Sequence, residues 1–146
     1  MTRYEFHRQL IRVYRRSYRR NRIILQLYQR LGQQSAMLES HHPMSEAQHE
    51  LLQRLSSAAA QRASRCLIRL QRLGQSTQIL SLSWGDQCLC FIAVYGGTSL
   101  TLSWIERLES QDVQELSLLF LKEKGQDARR PRDLINVNTF AIRCYR

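Results

Sequence analysis

The sequence predicts an all-α protein, a small helical bundle with a basic N-terminal helix that can extend from it. Three observations carry this reading. Apolar residues recur at intervals of three and four in several long segments, the spacing that lines one face of an α-helix. Two prolines and six glycines are too few for a turn-dense β sandwich. The one segment with strand-like alternation has no second strand of similar quality to pair with, and a lone strand leaves its backbone unsatisfied. At 146 residues the chain fits one domain, and 43% apolar residues suffice for a core.

The first element runs from Tyr4 to Leu31. Phe6, Leu10, Val13 and Ser17, then Ile24, Leu27 and Leu31, mark its apolar stripe, while Arg12, Arg15, Arg16, Arg19, Arg20 and Arg22 crowd the rest of its circumference. Like charges four residues apart repel, so this helix is marginal by itself and is expected to fold on a partner. Residues 1–32 therefore read as a basic amphipathic helix or arm, with Arg12, Arg15, Arg16, Arg19 and Arg20 as the partner-binding candidates. The plainer alternative is a solvated cationic helix or tail. Tyr14, Tyr18 and Tyr28, set among the arginines, have the chemistry to stack on bases, although no RNA-recognition motif accompanies them.

Residues 45–125 read as the helical core domain. Ser45 and Gln48 form a capping box after Pro43, and Glu46 suits the positive end of the helix dipole. Leu51, Leu52, Leu55, Ala59, Ala63, Cys66, Leu67, Leu70 and Leu73 then make one stripe, which Gly74 stops. Residues 78–95 fit both a strand and a helix. Alternation runs from Leu80 to Val94, but Leu80, Trp84, Gln87, Phe91 and Tyr95 also recur at helical intervals, and the lack of a partner strand favours a buried helix ending at Gly96 and Gly97. Leu100, Trp104, Ile105 and Leu108 predict a short helix, and Ser110 a cap for another bearing Val113, Leu116, Leu119 and Phe120, with Lys122 and Lys124 at its negative end. Residues 126–146 are a basic tail with apolar Leu134, Val137, Phe140, Ile142 and Tyr145.

Charge carries more functional information than size. The net charge is +10, and residues 1–30 hold nine arginines against Glu5 alone. Only Lys122 and Lys124 among the basic residues are lysine, and arginine is the residue of planar, bidentate recognition of phosphate and carboxylate. A second origin for the skew is codon usage. Arg, Leu and Ser, each with six codons, supply 56 residues, as a reading frame overlapping another gene would produce.

No phosphate-binding glycine loop, HExxH or GxSxG motif is present. Cys66, Cys88, Cys90 and Cys144 lack zinc-site spacing and are expected as reduced thiols. His41 and His42 adjoin Pro43 in a polar stretch, and His7 and His49 have no carboxylate at a recognisable spacing. Asp86 alone stands inside an apolar segment, where an arginine of the first helix is its expected partner rather than a substrate. The residues point to binding, with no catalytic, metal or cofactor site. Arg3, Arg8 and Arg12 break up any N-terminal hydrophobic segment, and no apolar run approaches membrane length, so a soluble intracellular protein is expected.

Leu80-Ser81-Leu82-Ser83-Trp84, followed by Gln87, Leu89, Ile92 and Ala93, resembles the L-T-L-S-W-x-x-Q-x-L-x-x-I-A segment of the measles-type C proteins of orthoparamyxoviruses. Leu38-Glu39-Ser40, Pro43, Ser45 and Gln48 are similar to that family's W-E-S-P-x-x-I-S-x-x-Q, in the same order and at a similar separation. The resemblance spans about residues 25–122. It implies a non-enzymatic viral accessory protein and virulence factor, read from a frame overlapping the phosphoprotein gene. Such proteins bind the viral large polymerase protein and the phosphoprotein or nucleocapsid, regulate RNA synthesis, and antagonise host interferon responses through innate-immunity signalling proteins. Some recruit endosomal sorting proteins. The implied location is the host cytoplasm, with the nucleus and the virion as further sites. Within the matching block, Leu82, Trp84, Leu89 and Ile92 are expected in the core. The chain departs from the measles type in lacking a long leader and a lysine-arginine import motif. Two other classes stay open: a basic module binding RNA or an anionic membrane surface through residues 3–30, and a bacterial chaperone or regulator.

Overall fold

A computed structural model of the protein describes residues 2–37, 45–76, 78 and 81–123, with side chains 34–37 excepted. These form four helices: α1 (Arg3–Met37), α2 (Glu46–Arg72), α3 (Trp84–Tyr95) and α4 (Thr98–Glu123). The fold is an all-α bundle, as the periodicity predicts.

Helix α1 is the element every other helix packs against. Arg69 of α2 reaches Tyr14, and Leu52 lies against Gly32, so α2 runs antiparallel to α1. Phe120 stacks near Phe6 with ring centroids 6.1 Å apart, while Arg20 meets Asp112, so α4 is antiparallel as well. Helix α3 runs parallel to α1, from Asp86 beside Arg19 to Phe91 beneath Arg30.

The core has two apolar clusters along α1 with a polar layer between them. Val13, Tyr14 and Tyr18 meet Ala63, Cys66 and Leu70 of α2 and Leu116 and Leu119 of α4. Further along, Ile24, Leu27, Tyr28 and Leu31 meet Ala59, Cys90, Val94 and Ile105. Ser17, Asn21 and Asp112 are buried between the clusters.

The expected separation of a 1–32 arm from a 45–125 core domain is corrected by this arrangement. The apolar stripe of α1 is wide enough to be gripped from three sides, so the helix that charge marks as an arm is the centre of the bundle. A two-way exchange between Thr2 and Glu5 caps it, Glu5 N–H donating to Thr2 Oγ1 at 3.2 Å and Thr2 N–H to Glu5 Oε2 at 3.3 Å.

Ser45 caps α2 in the predicted box: its Oγ accepts from Gln48 N–H at 3.2 Å and its own N–H donates to Gln48 Oε1 at 2.9 Å. At the other end Gly74 takes φ +78°, its N–H donates to Gln71 O, and Gln75 N–H donates to Leu70 O. This is a Schellman ending, and it needs the glycine because a side chain strains a left-handed backbone. The stripe is buried only from Ala59 onward, and Leu51 and Leu55 are exposed.

Residues 84–95 are helical, as the missing partner strand implies. The expected pair of helices after Gly97 is instead the single helix α4. Ser110 does not cap: its hydroxyl donates back to Glu106 O at 2.9 Å, a bond a helix interior tolerates. The α3–α4 joint is held by Thr101, whose Oγ1 donates to Ala93 O at 2.7 Å, while Gly97 turns the chain at φ +106°. The second resemblance block before Ser45, residues His41 and His42, Leu80, Lys124, the 126–146 tail and Cys144 lie outside the described residues. Among the described residues, no helix is long and apolar enough to cross a membrane.

Candidate interaction surface

The five arginines expected to bind a partner divide by position on α1. Arg20 points inward: Nη1 donates to Asp112 Oδ1 at 3.0 Å and Nη2 to Glu115 Oε1 at 2.6 Å. Arg19 Nη2 donates to Asp86 Oδ2 at 2.7 Å. Both partner-binding candidates therefore make ion pairs within the chain, and the Asp86 pairing is the one its place in an apolar segment requires. Arg16 lies 4.0 Å from Glu115, and Arg15 donates to the neutral Gln75 at 2.9 Å. Arg12 is exposed. Among the described residues, no salt bridge joins Arg8, Arg12 or Arg15 to a carboxylate. Tyr14, Tyr18 and Tyr28 are not a stacking platform, because they are buried in the core.

The matching block divides too. Leu82 is buried, as expected, but Trp84 is 79% exposed, Ile92 62% and Leu89 49%. These three are corrected from core to surface. The physical reason is that α3 is apolar almost all round, yet among the described residues it packs into the core by one side, the side carrying Cys90, Ala93 and Val94. Its opposite side presents Trp84, Phe91 and Tyr95, with Phe91 and Tyr95 rings 4.3 Å apart and the Arg30 guanidinium over Phe91. Leu100 and Leu102 extend the apolar surface onto α4. A soluble helix apolar all round is normally covered.

Ser83 sets the start of α3. Its Oγ accepts from Asp86 N–H at 3.2 Å and donates to Asp86 Oδ2 at 2.8 Å. That bond, aided by Arg19 and opposed by partial burial, holds the Asp86 carboxyl below its ordinary range.

Between α1, α3 and α4 lies a cleft of about 320 Å³. Ile23, Leu89, Trp104 and Leu108 form the apolar part of its lining, and Arg16, Arg19, Arg20 and Asp86 the charged part. Beneath it is the polar layer. Asn21 Nδ2 donates to Ser17 O at 2.8 Å and to Asp112 Oδ2 at 3.3 Å, and Arg62 Nε donates to Asn21 Oδ1 at 3.0 Å while its Nη2 reaches Glu109 at 2.8 Å. Burial pushes the Asp112 carboxyl up to about 7 against the pull of Arg20. Burial likewise pushes the Cys66 thiol up to about 11, leaving it unreactive as a nucleophile.

Sequence reasoning missed the cleft because it is built from three helices whose relative placement no local period encodes. The signal for the exposed α3 face was present as apolar residues on every side of one short helix. No protein-family model, curated protein or solved structure matches the chain.

Proposed function

We propose that the chain is a non-enzymatic viral accessory protein of the orthoparamyxovirus C type. In this reading it binds the viral large polymerase protein with the phosphoprotein or nucleocapsid, tunes RNA synthesis, and blunts interferon responses through host signalling proteins. Endosomal sorting proteins are further partners, and the host cytoplasm is the main location, with the nucleus and the virion beside it. The observation that carries the reading is that the resembling block from Trp84 onward lies in α3, and three of its residues, Trp84, Leu89 and Ile92, lie at the surface. Large apolar and aromatic side chains held outward on a packed helix are what a protein interface uses as anchors.

A viral minigenome reporter tests it, run with the intact chain and with Trp84→Ala. At 79% exposure the substitution leaves the melting temperature nearly unchanged. Regulation of the reporter should be lost with the fold intact. A reporter insensitive to the intact chain would refute the viral reading.

A second reading, a basic module on RNA or an anionic membrane surface, draws on Arg8, Arg12 and Arg15, which face no carboxylate in a salt bridge among the described residues. Salt separates the two, since phosphate binding weakens steeply with ionic strength and a partly apolar protein interface weakens less.

A further inference from the structure

We propose that the cleft between α1, α3 and α4 docks an acidic amphipathic protein segment, which places a large apolar anchor against Ile23, Leu89 and Trp104 and lays carboxylates along Arg8, Arg12 and Arg15. This rests on the reading of the chain as an interaction protein and names the chemistry its surface recognises.

The argument starts from register. Residues 8, 12, 16, 19 and 23 of α1 follow one another at intervals of four, four, three and four, so they share a face of that helix. Ile23 and Arg19 on this face line the cleft. Helix α3 begins opposite Arg19, so toward the N-terminus of α1 it no longer flanks that face. The cleft thus opens onto a ladder of arginines. A volume of about 320 Å³ takes one or two large apolar side chains.

Charge then selects the occupant. Around the cleft, Arg16, Arg19 and Arg20 are matched by Asp86, Asp112 and Glu115. With those pairs made, the anchor point offers mainly the apolar surface of Ile23, Leu89, Trp104 and Leu108, which suits a side chain better than a phosphate. Arginines that no salt bridge joins to a carboxylate among the described residues follow one to three turns from Arg19, at Arg15, Arg12 and Arg8. Arg8 stacks over its own neighbour Tyr4 and Arg15 bonds a neutral amide, contacts that set no anion against either guanidinium. From Ile23 to Arg12 is eleven residues of helix, about 16 Å at about 1.5 Å per residue. The segment's acidic cluster should therefore lie about eleven residues from the anchor if helical, or about five if extended.

A continuous phosphate chain fits less well. Its charge is uniform, the cleft offers Trp104 as its one aromatic side chain, and Tyr14, Tyr18 and Tyr28, which stand among the arginines, are buried.

The experiment uses the full chain carrying Trp84→Phe, which leaves Trp104 in the cleft as the one tryptophan. A phage-displayed library of random peptides long enough to span anchor and ladder is selected on it, and the most enriched peptide is synthesised and titrated by Trp104 emission. Enriched peptides should combine Leu, Phe or Trp with an Asp/Glu cluster and shift the emission to the blue. Leu89→Glu, and separately Arg12→Glu with Arg15→Glu, should each weaken binding at least tenfold, while Arg54→Glu on α2 leaves it unchanged. If Leu89→Glu lowers the melting temperature, the arginine variant decides, because its positions are exposed. No enrichment, enrichment of peptides without acidic residues, or binding indifferent to the arginine variant overturns the proposal. A uridine oligoribonucleotide that shifts Trp104 and is lost in the same variants also overturns it, by assigning the ladder to phosphate. Peptide binding as expected, with a minigenome reporter that never responds, would refute the viral reading and leave this one standing.

Discussion

Arg62 of α2 donates its Nε hydrogen to Oδ1 of Asn21 at 3.0 Å, and the same Asn21 side chain donates to Asp112 of α4 at 3.3 Å. One buried amide on α1 thus bonds both flanking helices at the level where the two apolar clusters part. Apolar contact alone tolerates sliding of one helix along another, whereas these bonds form in one register only. Asn21→Ala should cost about 1 to 3 kcal/mol, because it removes the amide's own bonds and leaves Arg62 and Asp112 each one hydrogen bond short, with Glu109 and Arg20 still holding them. Urea denaturation measures this, and a loss under about 0.5 kcal/mol would mean that water satisfies the layer.

The same layer makes stability depend on pH in an unusual sense. The Asp112 carboxyl is raised from 3.8 to about 7 by burial, so the folded chain keeps a proton that the unfolded chain releases. Its contribution is complete below the unfolded value and lost as pH rises through the folded one. The melting temperature should therefore fall between pH 5 and about pH 8. Asp112→Asn should flatten that slope, and an equal slope in the variant would place its origin elsewhere. Asp86 acts in the opposite sense: its lowered value stabilises above the ordinary carboxylate range and is lost only in stronger acid.

The fold class and most helix boundaries were legible because local chemistry sets them. Ser45 with Gln48 starts α2, Gly74 stops it, and the stripe Val13, Ser17, Ile24, Leu27 and Leu31 is buried as its spacing predicts. What was not legible depends on how many sides of a helix find partners. Arginines crowd α1 and made it read as an arm, but three helices cover its apolar stripe. Apolar residues surround α3 and made it read as buried, but among the described residues it packs mainly on α1 and α4, and Trp84 and Ile92 lie outside. The Arg19–Asp86 pair was anticipated, since a lone carboxylate in an apolar run needs a cation. The Arg20 pairs were not, because Asp112 and Glu115 sit on an ordinary polar stretch of α4.

The central place of α1 predicts the outcome of a truncation. The charge pattern implies that residues 45–124 fold without the first thirty, but that cut removes Val13, Tyr14, Tyr18, Ile24, Leu27 and Tyr28 from the two clusters. A fragment starting after residue 30 should show no cooperative thermal unfolding by circular dichroism. A sharp transition matching that of the intact chain would mean that α2, α3 and α4 form a core of their own.

The arginines of α1 should separate into two classes when reversed one at a time. Arg20 is mostly buried and holds both Asp112 and Glu115, so Arg20→Glu places three carboxylates together and should cost about 2 to 4 kcal/mol even after allowance for residual solvent. Arg12 is exposed with like charges at Arg8 and Arg16, four residues to either side. Reversing it replaces repulsion with attraction, so Arg12→Glu should leave stability within about 0.5 kcal/mol or raise it slightly. If the cationic face serves a partner, the minigenome reporter should lose regulation in Arg12→Glu, whose fold is intact. Any loss in Arg20→Glu should track its lowered melting temperature. Regulation unchanged in Arg12→Glu would leave the apolar surface of α3 as the contact and the arginine ladder as solvated charge.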